Sequence, residues 1–290
     1  MKKKIIVFLI IVVIILIAFG LRQCDFKNSE ENNNSNSSST AEIKVHFIDV
    51  GQGDSCFIEL PNNETMLIDS GDAKHSNVVT NYINSLGYGE IDYVVATHAD
   101  ADHIGAMAEV FDDFEIKNCY TSNVKSNTRT YKNFVKAVKN EGIKLQYPHS
   151  NDHIIKENNL DIKVKGPLEN RTYTNTNDSS VVLQISYFET DYLFTGDSEY
   201  QTLLEYDLEP IEVLKVSHHG SKTGTSKRLL KILMPKYAII SAAQRNKYHH
   251  PHIQVMNMLK NAGVNIYKTS ESGTITALSD ATHLEFVTEK

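Results

Sequence analysis

Four side chains that can bind a metal ion lie within the six-residue segment His98-Ala-Asp100-Ala-Asp102-His103. In an extended backbone, residues two apart point the same way, so His98 and Asp100 can share one ion. Asp102 and His103 are adjacent and diverge, so they can reach a second ion nearby. A helix cap needs one carboxylate, not two carboxylates and two imidazoles. The segment therefore predicts a metal site.

The elements around this segment place it at the end of a buried strand. Ile91–Thr97 is a continuous apolar run, typical of a strand that is buried on both faces, and Ile104–Phe111 has helical spacing. A similar order of strands, then alternating strands and helices, begins again at Ser180–Tyr187. Two such halves predict an α/β sandwich of two sheets covered by helices.

Further candidate ligands follow predicted strands in the second half of the chain. Asp197 ends a strand beside Gly196, and it suits either a metal or the N-cap of a helix that begins at Glu199. His218 and His219 follow the next strand and precede a glycine. A lone histidine is more often structural, but a pair in this position favours a functional site.

A histidine-rich segment lies near the predicted start of a later helix. His249, His250 and His252 flank Pro251, a residue that is well tolerated in the first turn of a helix. Imidazoles at a helix start can meet an anionic substrate or protonate a leaving group. The alternative is that they are solvated loop residues.

Taken together, these segments resemble the metallo-β-lactamase superfamily, in which His-x-His-x-Asp-His supplies most ligands of a two-metal site. Asp100 replaces the second histidine here, and this variant, with Phe47–Ser55, is similar to the extracytoplasmic domain of ComEC-type competence proteins. The resemblance spans roughly residues 43–278 and implies an αββα sandwich. The other matching segments are Asn177–Leu183, Phe194–Asp197, Val216–Ser221 and His250-Pro-His252.

The resemblance also implies how the candidate ligands divide between one or two ions of Zn²⁺ or Mn²⁺. Asp102 and His103 would bind the second ion together with one of the paired histidines, His218 rather than His219. Asp197 would bridge the two ions. The first ion would then be held by His98, Asp100 and Asp197, a set with more oxygen than usual, which raises Mn²⁺ as a rival to Zn²⁺.

Other polar residues are expected to support the ligands or contact the substrate. Asp49, Asp54 and Asp69 lie in predicted turns, where they make turn hydrogen bonds or orient ligands, and we expect the latter. By resemblance, Asn177 stands where the wider superfamily has a further histidine ligand. Ser221 and His250 complete this group.

The function that the resemblance implies is metal-dependent hydrolysis by a metal-activated hydroxide. Asp102 would orient the hydroxide, and His219 or His252 would protonate the leaving group. The implied substrate is a phosphodiester, either DNA or a cell-envelope polymer such as a teichoic acid. The alternatives are a hydrolase of carboxyl-type substrates and a module that binds polymer without turnover. The net charge of −7, with no basic stripe standing out, weakens tight non-specific binding of nucleic acid.

The N-terminus predicts export. Residues 5–19 are apolar and follow Lys2, Lys3 and Lys4, which indicates a signal peptide or a transmembrane anchor over residues 1–22. An Asn/Ser-rich flexible linker over residues 23–40 and a hydrolase domain over 41–290 would follow. Either interpretation places the domain outside the cytoplasmic membrane, anchored or secreted.

Overall fold

The computed structural model describes residues 41–290. The predicted signal or anchor segment and the predicted linker lie outside the described residues. None of the helices within residues 41–290 has the length and apolar character needed to cross a membrane.

Fifteen strands within residues 41–290 form two mixed sheets. In chain order the strands are β1 (Ile43–Phe47), β2 (Cys56–Glu59), β3 (Thr65–Ile68), β4 (Glu90–Ala96), β5 (Glu115–Thr121), β6 (Leu145–Gln146), β7 (His153–Glu157), β8 (Leu160–Gly166), β9 (Val182–Tyr187), β10 (Thr190–Phe194), β11 (Val213–Lys215), β12 (Tyr237–Ile240), β13 (Asn265–Lys268), β14 (Ile275–Ser279) and β15 (Leu284–Thr288). One sheet has the order β15-β14-β1-β2-β3-β4-β5-β6 and the other the order β13-β12-β11-β10-β9-β8-β7.

The two sheets are built on the same plan. In each, antiparallel strands come first (β1 to β3, and β7 to β10) and strands added in parallel follow (β4 to β6, and β11 to β13). The last two strands return to the first sheet, where β14 pairs with β1. Because polar loops follow parallel strands at the same edge of each sheet, this plan brings the candidate ligands to one place.

Helices cover the outer face of each sheet. They are α1 (Ser76–Ser85), α2 (Ala101–Ile104), α3 (Met107–Asp113), α4 (Arg129–Glu141), α5 (Tyr200–Leu203), α6 (Lys227–Leu233), α7 (Ile253–Asn261) and α8 (Thr269–Ser272). Three apolar clusters result: one between the sheets, one under α1, α3 and α4, and one under α5, α6 and α7. This is the predicted αββα sandwich.

The helix predicted over Ile104–Phe111 is an exception, because the structure divides it into α2 and α3. The backbone N–H groups of Gly105 and Ala106 donate to the carbonyl of Gly71 instead of continuing the helix. A side chain at Gly105 would also lie 2.5 Å from the backbone nitrogen of Ala73. Packing against the loop after β3 therefore ends α2. The apolar spacing over Ile104–Phe111 does not reveal such a contact, because it reports only which residues share a helix face.

Candidate metal centre

Loops from both sheets meet at the carboxyl ends of their parallel strands. The first sheet contributes Asp69 after β3 and the segment from His98 to His103 after β4. The second contributes Asp197 after β10 and His219 after β11. Most of these side chains are buried, so carboxylates and imidazoles face one another with little water between them.

His103 is held rigidly in this cluster. Its Nδ1 lies 2.7 Å from Asp69 Oδ2, and Asp69 itself accepts hydrogen bonds from the backbone and hydroxyl of Thr97. Nδ1 therefore carries a proton and Nε2 faces Asp197 Oδ1 at 3.1 Å. Burial lowers the pKa of His103, but the carboxylates of Asp197 and Asp69 outweigh it and raise this pKa well above its usual value.

His219 is fixed in a similar way from the other sheet. Its Nδ1 lies 3.0 Å from the carbonyl oxygen of Ser241 and 3.1 Å from Asp54 Oδ1. Its Nε2 lies 3.4 Å from Asp102 Oδ2 and 3.7 Å from Asp197 Oδ2. Burial lowers the pKa of His219, but Asp197 and Asp54 raise it to about 10.

The positions of the paired histidines differ from the predicted assignment. Both adopt left-handed backbone conformations, with φ of 50° and 54°, and their ring planes are 76° apart. His219 is buried and belongs to the groups whose ligand atoms can share one ion, whereas His218 does not. His218 is partly exposed, with Nε2 3.7 Å from Asp197 Oδ2. The geometry therefore favours His219, not His218, as the metal ligand.

The first part of the motif lies on the other side of Asp197. His98 is fully buried, and its Nε2 lies 3.9 Å from Asp100 Oδ2 and 4.0 Å from Asp197 Oδ2. Asp100 is partly exposed and accepts a hydrogen bond from the Thr176 hydroxyl at 2.7 Å. Asn177, in the position of the missing histidine, places Nδ2 3.5 Å from His218 Nδ1.

These residues fit a divalent cation. In the part of the chain that the structure describes, four groups of three side chains have ligand atoms within 4.8 Å of one another, and two of them are His98, His103 and Asp197, and Asp102, His103 and His219. Among residues 41–290, four buried atoms of these groups lack a hydrogen-bond partner: Nε2 of His98, His103 and His219, and Oδ1 of Asp197. Since buried polar atoms nearly always have partners, a cation explains all four at once. The mixture of imidazole and carboxylate suits Zn²⁺ or Mn²⁺.

Carboxylates in the cluster stay ionised despite their burial. Burial raises the pKa of Asp102, but the nearby His219 imidazole, with Nε2 3.4 Å from Asp102 Oδ2, lowers it to about 2. Burial acts in the same direction on Asp197, and the facing His103 and His219 bring its pKa well below the usual value. The carboxylates of Asp102 and Asp197 are thus both available as anionic ligands at neutral pH.

A buried ion pair behind His219 escaped the sequence analysis. The Nζ of Lys215, the last residue of β11, lies 2.6 Å from Asp54 Oδ2, and both side chains are buried. Asp54 thereby contacts Lys215 with one oxygen and His219 with the other. The available signal was a lysine between Leu214 and Val216, in a stretch that is otherwise apolar.

The remaining predicted residues lie at the rim or farther away. His250 is buried beside the paired histidines, with its ring centroid 6.2 Å from that of His219. The Nδ1 of His252 accepts a hydrogen bond from the backbone of Lys222. Ser221 pairs with the Thr223 hydroxyl. Asp49 accepts a turn hydrogen bond from the backbone N–H of Gly51.

Comparison with known proteins identifies the family. A sequence model described as the metallo-beta-lactamase superfamily matches residues 48–244. The chain belongs to the metallo-beta-lactamase superfamily. The predicted family and enzyme class, a metal-dependent hydrolase of this superfamily, are thus confirmed.

Relatives of this superfamily member include competence proteins. ComE operon protein 3 of Bacillus subtilis (strain 168) is 29% identical over 257 residues, which cover 81% of this chain and 33% of that protein. Recombination protein 2 of Haemophilus influenzae is 26% identical over 242 residues, covering 80% of this chain and 28% of that protein. The chain therefore spans about a third of the length of these relatives.

Solved structures share the fold at low sequence identity. The metallo-beta-lactamase fold protein YhfI from Bacillus subtilis has a TM-score of 0.51 at 12% identity, covering 78% of this chain and 95% of YhfI. CmlA, a diiron β-hydroxylase from Streptomyces venezuelae, has a TM-score of 0.52 at 12% identity, covering 78% of this chain and 52% of CmlA. Because the second of these is a hydroxylase, the fold alone does not define the reaction.

Proposed function

We propose that the chain is a metal-dependent phosphodiesterase that acts outside the cytoplasmic membrane on DNA or a cell-envelope phosphodiester. The observation that carries the proposal is the set of four buried, unpaired ligand atoms facing one another across Asp197. Relatives named for competence and recombination favour a phosphodiester. The apolar run after three N-terminal lysines favours export.

The cluster offers ligands for two ions that share Asp197. His98 and Asp100 would hold one ion, while Asp102, His103 and His219 would hold the other. When bound, the ions lower the pKa of a water molecule and stabilise negative charge on the substrate.

The protein's own groups then position the reactants. Asp69 and the carbonyl oxygen of Ser241 accept hydrogen bonds from Nδ1 of His103 and His219, so Nε2 of each ring faces the centre. Asp102 has a side chain that is 31% exposed, so it can reach both the centre and an attacking water.

His252 is the candidate proton donor. Its Nδ1 accepts the backbone N–H of Lys222, so the neutral ring carries its proton on Nε2. Burial, followed by the charge of Lys222, lowers the pKa of His252, so the ring must first take up a proton from solvent before it can donate one to the leaving group. His219 was the other predicted donor, but its Nε2 faces the centre and we assign it to metal binding instead.

Hydrolysis of bis(p-nitrophenyl) phosphate by the full-length chain, with Mn²⁺ or Zn²⁺, tests the proposal. We expect Asp102→Ala to lower kcat/KM by at least about 100-fold, the usual effect of losing a group that positions a proton or nucleophile. Asp113→Ala, at the exposed end of α3, is the matched control and should match the wild type. Turnover that needs no metal, or that survives in Asp102→Ala, would contradict the proposal.

A module that binds polymer without turnover is the second candidate. Asn177 favours it, because an amide in the position of the missing histidine offers no imidazole nitrogen to the first ion. The same assay separates the two candidates: metal binding without hydrolysis of phosphate diesters or of carboxyl esters would favour the module.

A further inference from the structure

Charge is distributed very unevenly along this acidic chain. Val213–Ser270 contains ten Lys and Arg residues and no Asp or Glu, whereas the rest of the chain contains 19 basic and 36 acidic residues. The net charge of the whole chain hides this segment. The same segment supplies His219, His250 and His252, and it therefore borders the candidate metal centre.

Three of these cations lie next to the histidines in the chain and are exposed: Lys222, Arg245 and Lys247. Lys222 is tied to the site directly, because its backbone N–H donates to His252 Nδ1 at 3.1 Å. Exposed cations beside a hydrolytic centre favour a substrate with several phosphates, since each contact releases counterions from the polymer.

The loop that carries Arg245 and Lys247 has a defined backbone conformation. The Oδ1 of Asn246 accepts from the backbone N–H groups of Tyr248 and His250, at 3.1 and 3.0 Å. Its Nδ2 donates to the carbonyl oxygens of Ala243 and His250, at 3.0 and 2.7 Å. One side chain therefore makes four hydrogen bonds across the loop, which orders the backbone that carries Tyr248 and lowers the entropic cost of binding there.

Tyr248 is the outer member of a stack of rings that begins at the metal centre. Its ring lies 5.5 Å from that of His250, with an angle of 24° between planes, and His250 stacks on His219 at 6.2 Å and 29°. Tyr248 is nevertheless 47% exposed. An aromatic side chain that packs on another ring with one face and is exposed to solvent can stack on a flat ligand.

The Nζ of Lys247 lies 4.8 Å from the centre of the Tyr248 ring. An exposed cation–π contact is worth about 0.5–1 kcal/mol, whereas a base stacked on an aromatic side chain is worth about 1–3 kcal/mol. A nucleobase can therefore displace the ammonium group from the ring. The displaced group is then free to pair with a neighbouring phosphate.

We propose that Tyr248, Lys247, Arg245 and Lys222 form a subsite for single-stranded polynucleotide beside the metal centre. A base stacks on Tyr248, and the adjacent phosphates pair with the three cations. This inference rests on the proposed function, because the bound strand would be the substrate of the same centre. A glycerol- or ribitol-phosphate polymer could use the cations, but it has no base for the tyrosine.

Binding of fluorescein-labelled oligo(dT) to the full-length chain, followed by anisotropy in EDTA, tests the subsite without turnover. Tyr248→Ala should weaken binding about 5- to 100-fold, and Tyr248→Phe should stay within about twofold because it keeps the ring. Tyr147→Ala is the matched control, since Tyr147 is 41% exposed and lies after β6. Lys222→Gln and Lys247→Gln should each reduce the dependence of affinity on salt concentration by about one phosphate contact.

Inorganic polyphosphate is the competing probe. The subsite predicts that Tyr248→Ala leaves polyphosphate binding unchanged while it weakens binding of oligo(dT) or oligo(rU). Equal effects on both polymers, or none on the oligonucleotides, would overturn the proposal. Turnover of bis(p-nitrophenyl) phosphate by the wild type, and its loss in Asp102→Ala, test the phosphodiesterase independently of oligonucleotide binding, so a failure of the subsite can be distinguished from a failure of the phosphodiesterase.

Discussion

At the scale of single residues, the buried ion pair of Lys215 with Asp54 supports the candidate metal centre. Removing one partner of such a pair leaves an uncompensated charge in the interior, so we expect Lys215→Met to lower the free energy of unfolding by about 3–5 kcal/mol. Urea unfolding of the full-length chain measures this loss. Adding Asp54→Asn to Lys215→Met should restore part of it, because the buried carboxylate is then absent.

Lys165 provides a matched control for this prediction. It is another buried lysine at a strand end, but its partner Glu209 has a side chain that is 61% exposed. Water can compensate Glu209 after Lys165→Met, so we expect a change within about 1 kcal/mol. Equal losses in the two variants would mean that lysine burial itself, and not the pair with Asp54, governs the effect.

Site residues in one contiguous segment were predictable, whereas those that depend on contacts across the fold were not. His98 and Asp102 could be recognised because their segment is contiguous, and types and spacing alone indicate metal binding. Lys215 could not, since its partner is 161 positions away and the pairing depends on how two sheets meet. His218 and His219 have the same residue type, and only the left-handed backbone decides which imidazole turns inward.

At the scale of elements, Glu59 connects β2 to its neighbours in the first sheet. Its carboxylate lies 2.9 Å from His46 Nε2 on β1 and accepts a hydrogen bond from the Tyr88 hydroxyl at 2.7 Å. The bond with His46, against the effect of burial, lowers the pKa of Glu59 to about 2 from an ordinary 4.5. The contact therefore stabilises the folded state at pH values above the ordinary pKa of a glutamate side chain.

This stabilisation has a defined pH window. Because the folded-state pKa is depressed, the contribution is complete above about pH 5 and is lost as the pH falls from 4.5 toward 2. Urea unfolding at several pH values tests this window. As the pH falls through it, the urea midpoint of Glu59→Gln should fall less than that of the wild type. Parallel curves for the two proteins would show that the contact does not contribute.

Element boundaries were predicted best where the pattern was local. Helix α6 (Lys227–Leu233) can be recognised because its N-cap, Ser226, and its apolar spacing are both visible in the sequence. The short strands β6 and β7 were not predicted, because two to five residues with few buried side chains carry little periodicity. These strands depend on pairing with β5 and β8.

At the scale of the whole molecule, the two halves were predictable and their joining was not. Nothing local in the sequence near the C-terminus indicates that β14 crosses back to pair with β1 in the first sheet. Val45 and Ala277 become partners there, and both enter the core between the sheets. Alternation of apolar residues specifies that a strand has a buried face, not which sheet it joins.

A metal bound at the candidate centre would join the halves a second time. His98, Asp102 and His103 belong to the first half, whereas Asp197 and His219 belong to the second. Mn²⁺ at 100 times its Kd should therefore stabilise the fold by about 2.7 kcal/mol, or about 5–10 °C in Tm for a domain of this size. Thermal unfolding with EDTA and then with excess Mn²⁺ measures the shift.

Two variants separate specific binding from a general effect of the salt. Asp197→Asn removes the carboxylate that faces His103, His218 and His219, so its Tm should be the same with EDTA and with Mn²⁺. Asp112→Asn, exposed on α3, should keep the full shift. A shift that persists in Asp197→Asn would place the cation elsewhere. If the wild type shows no shift in Tm, a bound ion does not help to hold the two halves together. The Lys215–Asp54 pair and the apolar core would then do so alone.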